Sequence, residues 1–255
     1  MVDLSPRQQQ IIERVQREGF VAIDSLAEGF SVTPQTIRRD VNQLAEQGLL
    51  SRHHGGAGLP SSVENVAYRA RKVLQLQAKQ RIAAALAKEV PDQASLFITL
   101  GTTTEEVARA LLQHHGLRII TNNLNIATIL SSNATFEVII AGGVVRSRDR
   151  GITGEATVDF IRQFRVDYGI TGISGIDIDG ALLDFDYGEV RVVQAIKVQS
   201  RQFWLAADSS KFGRNAMVEL GHLHDLDALF TDQLPADDWV RLLRDSETRL
   251  VVAEA

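Results

Sequence analysis

From about residue 75 onward, short apolar segments alternate with amphipathic ones, and that alternation leaves few folds open. The pieces SLFITL (95–100), LRIIT (117–121), FEVIIA (136–141), YGITGI (168–173), FWLAA (203–207), DALFT (227–231) and RLVVA (249–253) have strand length and little polarity. Between them AKQRIAAALAKEV, TEEVARALLQHH, NLNIATILSS, EATVDFIRQF, EVRVVQAIKVQS and PADDWVRLLRD carry helical periodicity. Strands this apolar need both faces covered. The expectation is a mainly parallel α/β sheet with helices on both sides.

The front of the chain has a different rhythm. A helix is expected from Ser5 to Glu18, with Ser5 as N-cap, Pro6 at the first position, Gln8 completing a capping box and Gly19 ending it. Phe20 to Ile23 reads as extended, and Asp24 as the cap of a short helix. Thr33 caps a third helix that opens at Pro34 and runs to about Gln47, with Gly48 after it. Leu49 to Arg52 reads as a strand, and His53-His54-Gly55-Gly56 as a tight turn. Three short helices and a small hairpin describe a winged helix-turn-helix. The domain reading is therefore 1–58 for this unit, 59–74 for a linker running into a helix, and 75–255 for the α/β unit.

Charge divides the same way. Residues 1–90 hold 12 Lys/Arg against 9 Asp/Glu, whereas 91–255 hold 15 against 23. Only the front suits a polyanion, and through a few placed side chains rather than a general field. The chain has no cysteine, which excludes a disulfide scaffold, a thiol nucleophile and a Cys-type zinc site. No basic segment leads into an apolar run in MVDLSPRQQQ, and no stretch reaches membrane-helix length. A cytoplasmic protein without membrane contact is expected.

In the third helix Ile37, Val41 and Leu44 fall at i, i+4 and i+7 and face the core. Gln35, Arg39 and Asn42 point the other way, flanked by Thr36, Arg38 and Gln43. Arg offers a bidentate fork to guanine, and Gln or Asn one to adenine. The Thr33 and Thr36 hydroxyls and the helix N-terminus suit phosphate oxygens. A solvated helix face is the competing reading of such polarity, and the preceding helix and the wing favour DNA. Arg52 and His53 fit a phosphate-contacting wing better than His53 and His54 fit a metal site, which lacks further ligands.

The core T-x-x-T-I-R-R-D over residues 33–40, followed by R-x-H-G-G-A over 52–57, resembles the N-terminal signature of the DeoR family of bacterial transcription repressors. The resemblance continues through 146–191 and 208–221 and spans essentially the whole chain. It implies a winged-helix reader of operator double-stranded DNA. It also implies a C-terminal domain similar to ribose-5-phosphate isomerase that senses a phosphorylated metabolite, with glycerol 3-phosphate the favoured effector. A homo-oligomer is expected, because such readers need two half-sites.

The residues support an effector site independently. Gly101-Thr102-Thr103-Thr104 lies between an apolar strand and a helix, where free N–H groups and hydroxyls suit an anion. Glu105 and Glu106 follow, read as first-turn acids pointing away. Asn122-Asn123 and Gly142-Gly143 end the next two strands, so three turns share the carboxyl edge of the sheet. Arg146, Arg148 and Arg150 are either a phosphate clamp or exposed loop charge. Asp186 and Glu189 stand at a helix head, where acids also serve as caps, and Lys211 behind Asp208 is a candidate for the phosphate charge. By resemblance Asp186, Glu189, Asp208 and Lys211 surround the pocket that in the isomerases moves a proton. Carboxylates with a lysine are a competent acid–base set, so a sugar-phosphate isomerase carrying a DNA-binding front is the rival reading. No cofactor and no metal is expected. The chain departs from many family members at Val193-Gln194-Ala195, where they carry Lys-Arg-Ala.

Overall fold

The computed structural model describes residues 4–46, 49–53, 55–58, 68–235 and 237–254. It divides into two units, residues 1–74 and 75–255.

In the first unit, helix α1 (Pro6–Glu18) opens on the anticipated capping box: Gln8 N–H donates to Ser5 Oγ at 3.2 Å and Ser5 N–H to Gln8 Oε1 at 3.0 Å. Gly19 ends it with φ +73°, a conformation that glycine adopts without strain. Then come β1 (Phe20–Ala22), α2 (Ile23–Gly29), α3 (Pro34–Glu46), β2 (Ser51–His53), β3 (Gly56–Gly58) and α4 (Tyr68–Val73). Both β1 and β2 pair antiparallel with β3. Ile11, Val15, Leu26, Ile37, Val41 and Leu44 form the core. Two expectations change. The N-cap of α2 is Ala22, and Asp24 sits in the first turn, where its charge suits the helix dipole. Leu49 and Leu50 are buried in the core before the strand begins; Leu49 N–H still bonds Leu44 O at 2.9 Å, which keeps it out of the ladder. Gln47, Gly48, His54 and 59–67 lie outside the described residues.

Ala70 of α4 is buried in this core and Leu74 packs against it. A fragment ending at residue 74 is therefore expected to exceed one ending at residue 58 by about 2 kcal/mol in unfolding free energy, the value of the burial lost. Urea denaturation of the two fragments measures the difference, and equal midpoints would show that α4 adds nothing.

The second unit alternates as anticipated. It runs α5 (Leu76–Glu89), β4 (Ser95–Ile98), α6 (Thr102–Ala110), β5 (Arg118–Thr121), α7 (Leu124–Leu130), β6 (Glu137–Ile140), β7 (Val144–Val145), β8 (Ile152–Thr153), α8 (Glu155–Ile161) and β9 (Val166–Thr171). It continues through β10 (Gly175–Ile176), β11 (Ala181–Asp184), α9 (Tyr187–Val198), β12 (Ser200–Ala206), β13 (Val218–His222), β14 (Ala228–Thr231), α10 (Asp237–Asp245) and β15 (Arg249–Val252). Seven strands make one parallel sheet in the order β15-β14-β12-β9-β4-β5-β6. One apolar cluster lies on each face of it, the first around Phe97, Leu205 and Leu229, the second around Ile98, Ile170 and Phe230. Alternating inward and outward residues of the same strands supply both, as a doubly covered sheet requires.

The chain steps outward from β4 to β6, then returns to place β9 on the other side of β4. Open sheets bind ligands at such a reversal, outside the carboxyl ends of the two strands. The structure adds what the apolar runs did not reveal. The strands β10, β11 and β13 form a small antiparallel sheet, and β7 pairs with β8. These strands are short, and the aspartates interleaved in GIDIDGALLDFD give β10 and β11 the polarity of a loop. The strands β9 and β12 begin earlier than anticipated because the polar stretch Ser200–Gln202 still pairs with β9. Among the described residues no helix is long and apolar enough to cross a membrane.

Candidate functional site

Helix α3 turns Ile37, Val41 and Leu44 into the core, so its opposite face is set by helical geometry. Gln35, Arg38 and Arg39 are exposed and Asn42 is half-buried. Arg39 has no hydrogen bond or ion pair among the described residues. Thr36 N–H donates to Thr33 Oγ1 at 3.3 Å, and the two hydroxyls lie 2.9 Å apart. Asn42 Oδ1 accepts from Arg52 Nη1 at 3.0 Å, so its amide is half engaged. The exposed His53 ring stands edge-on to Phe20, centroids 6.0 Å apart.

Asp40 escaped the sequence reading. It is buried, with Arg7 Nε donating at 2.6 Å and Gln8 Nε2 at 3.4 Å. Gln8 Nε2 also donates to Gln43 Oε1 at 2.8 Å. These bonds fix α3 against α1. The available signal was position: Asp40 falls three residues after Ile37 and four before Leu44, on the inward side. The only carboxylate within this stretch of α3 is therefore turned away from the exposed arginines, leaving a cationic face.

In the second unit the turns after β4, β5 and β6 gather at one edge of the sheet. Gly101 opens α6 with φ +153°, and Thr104 Oγ1 donates back to Gly101 O at 2.9 Å. Thr102, Thr103 and Thr104 are buried, and the N–H groups of a first helical turn lack intrahelical acceptors. Beside this turn, the hydroxyls of Thr99 and Thr171 lie 3.0 Å apart and join the ends of β4 and β9. Asn122 accepts from Leu100 N–H at 3.2 Å and donates to Ile152 O at 2.9 Å. Asn123 caps α7 by accepting from Asn125 N–H at 2.8 Å. Both amides, read as ligand groups, are engaged inside the protein. Gly142 O accepts from Thr157 Oγ1 at 2.9 Å. A Cβ at Gly143 would stand 2.5 Å from Thr157 Oγ1, so this turn needs its glycine for close approach. Glu105 and Glu106, read as pointing away, are buried: Asn125 Nδ2 donates to Glu105 Oε1 at 3.0 Å, and Arg109 pairs with Glu106 at 3.2 Å.

The hairpin β7–β8 carries Arg146 into a cluster of acids. Its guanidinium lies 2.7 Å from Asp149, 2.8 Å from Asp186 and 2.5 Å from Glu189. The more exposed Arg148 pairs with Asp186 at 2.8 Å. Arg146 is not the exposed loop charge of one of the two readings: it is half-buried and the shared counterion of three carboxylates. Asp186 also caps α9, accepting from Glu189 N–H at 3.1 Å. Burial pushes the Glu189 carboxyl up to about 7, with Asp184 adding to the rise. Arg146 opposes this but divides its charge among three acids. Burial also opposes ionisation of Asp186, yet the Glu189 N–H, Arg146 and Arg148 hold it below the usual carboxylate range.

The sign of a pH effect follows. The folded state favours protonated Glu189, so the stability from this group is full below about 4.5 and is lost as pH rises through about 7. Glu189→Gln fixes a neutral side chain. Its unfolding free energy is expected to match the wild type near pH 4.5 and to exceed it by on the order of 3 kcal/mol near pH 8. Thermal melts at both pH values check this; equal stability at the higher one would mean that Arg146 keeps the carboxyl ionised at no cost.

At the end of β12, Asp208 is buried and accepts from Ser210 N–H at 3.1 Å and from the Ser210 hydroxyl. Burial alone would raise its pKa, but Lys211, Ser210 and Lys79 bring it below the usual range. Lys79, also missed, is buried on α5. It lies three residues before Ile82 and seven before Leu86, on the apolar stripe, which was the readable signal. Val193 is buried and Gln194 Nε2 donates to Leu220 O at 3.2 Å, so the two positions that depart from the family pattern serve the interior.

A DeoR-like helix-turn-helix domain matches residues 7–63, and a DeoR C terminal sensor domain matches residues 74–233. The chain belongs to the DeoR family. Among DeoR relatives, the glycerol-3-phosphate regulon repressor of Escherichia coli (strain K12) is 54% identical over 244 residues, 96% of this chain and 97% of that protein. The glycerol-3-phosphate regulon repressor of Haemophilus influenzae is 52% identical over 248 residues, 97% of this chain and 96% of that one. The HTH-type transcriptional repressor CsqR of Escherichia coli (strain K12) is 44% identical over 250 residues, with 98% and 96% coverage. Among solved structures, ribose 5-phosphate isomerase A of Methanocaldococcus jannaschii shares 13% identity at a TM-score of 0.41, covering 54% of this DeoR chain and 55% of the isomerase. No chemistry is transferred from a likeness that slight.

Proposed function

We propose that this DeoR-family protein is a DNA-binding repressor of glycerol-3-phosphate metabolism genes, released from its operator by sn-glycerol 3-phosphate. The observation that carries the DNA reading is the face of α3: Arg38 and Arg39 exposed, Asp40 withdrawn to Arg7. The name and the high identity of the relatives support the regulated genes and the effector. The effector site lies at the strand reversal, where Gly101 to Thr104 offer N–H groups and hydroxyls to phosphate. Lys211 supplies charge, and Asp186 and Glu189 accept from effector hydroxyls. The protein acts in the cytoplasm as a homo-oligomer, so that two readers meet two half-sites.

The test is a titration of duplexes from upstream of glycerol-3-phosphate metabolism genes, followed by fluorescence anisotropy. Tight binding over random duplex, reversed by glycerol 3-phosphate and not by glycerol or inorganic phosphate, supports the proposal. Lack of preference for any such duplex sinks it. Turnover of pentose or hexose phosphates by the purified protein would favour an isomerase instead.

A further inference from the structure

A concavity of about 350 Å³ lies between α3 and the β2–β3 hairpin. Its floor is apolar, from Ile23 and Val41, and its rim carries Arg38, Asn42, Arg52 and His53. No carboxylate lines it among the described residues. One bond crosses its rim, from Arg52 Nη1 to Asn42 Oδ1. Arg52 is exposed, so this bond adds little to stability. Its effect is geometric. It ties a guanidinium from the hairpin to the body of α3 and holds it at the rim of the concavity. Arg52 has five N–H donors, and only this one is engaged among the described residues.

We propose that the concavity seats a phosphate of the DNA backbone and that Asn42 is a positioning residue that holds Arg52 there, not a reader of base edges. The proposal rests on the DNA-binding reading above. Two guanidiniums and an imidazole suit a phosphate, and the planar fork of Arg matches its oxygens. The apolar floor receives the flanking sugar. An amide pairs with adenine through both its oxygen and its nitrogen. The oxygen of Asn42 already accepts from Arg52, so one of its two lone pairs is used and the guanidinium stands beside it, where it crowds a flat approach to a base edge.

The experiment uses the full chain as wild type, Asn42→Ala, Arg52→Ala and the double variant, each bound to operator and to random duplex across a salt series. Melting temperatures are recorded alongside, and surface positions such as these leave them near the wild type. Each single variant is expected to lose affinity on the order of 10-fold, equally on both duplexes, with the slope of log K against log salt falling by about 1. The double variant is expected to bind no more weakly than Arg52→Ala, because Asn42 acts through Arg52. If Asn42→Ala relaxes preference at one base pair and keeps the wild-type slope, it reads a base and the proposal falls. Additive losses in the double variant also overturn it. If the wild type shows no operator preference, the operator reading fails, while the slopes on random duplex still decide the phosphate seat.

Discussion

Lys211→Ala is expected to leave operator binding unchanged and to raise the glycerol 3-phosphate concentration needed for release by about 10- to 100-fold, the worth of a hydrogen bond to a charged partner. The effector carries close to two negative charges near neutral pH. It must enter a unit in which acids outnumber bases, 23 to 15 from residue 91 onward. Backbone N–H groups at α6 cradle oxygens but bring no full charge. Arg146 is already shared by Asp149, Asp186 and Glu189. Lys211 follows Asp208 in the turn after β12, and Lys79 reaches the same carboxylate from α5. On the proposed function, Asp208 balances these cations until the effector's phosphate shares them. Coupling between two sites is reciprocal, so weaker effector binding removes the bias against the DNA-bound state without altering the reader. Titration of effector against the preformed operator complex, wild type and variant in parallel, is the measurement. Release of the variant at the wild-type concentration would eliminate Lys211 as the phosphate partner and leave Lys79 to be tested.

Arg39→Ala is expected to weaken operator binding by roughly 1–3 kcal/mol, about 5- to 150-fold, and to relax preference at one base pair. The side chain sits opposite the core face of α3 and is unengaged among the described residues, so no internal contact accounts for it. That separates it from Asn42, which already has a partner. Binding to a set of duplexes substituted one base pair at a time reads the effect. An equal loss on operator and random DNA would make Arg39 a phosphate contact.

Periodicity made the large elements legible. The stripe Ile37, Val41 and Leu44 oriented α3, and the apolar runs located every strand of the parallel sheet. The antiparallel trio β10, β11 and β13 was not legible, because its strands are short and β10 and β11 are separated by aspartates that bond their own turn. Within the candidate site, sequence located the loops that gather at the carboxyl edge of the sheet but not the internal partners of their residues. Asn122 and Asn123, expected as ligand groups, hold loops together through internal hydrogen bonds that no local pattern announces. Arg146, expected as a phosphate clamp or as exposed loop charge, is paired with three carboxylates. Such distinctions depend on contacts between residues far apart in the chain, which no local pattern records. Asp40 and Lys79 are the exceptions: each is a charge placed on an apolar stripe, and that misfit is visible in one dimension.

The reversal between β4 and β9 also governs the order in which the second unit can assemble. Ser95 bonds Asp167 across that seam over a separation of 72 residues, the longest closure in the heart of the sheet. Neighbouring strands on either side are joined by shorter connections, whose loops close at lower entropic cost. Local contacts form faster than distant ones. Each half-sheet can therefore gather early, and the seam closes late. The effector site proposed above spans that seam. On that proposal a nascent or damaged chain whose halves have not met has nowhere to hold the effector, so only a finished molecule answers it.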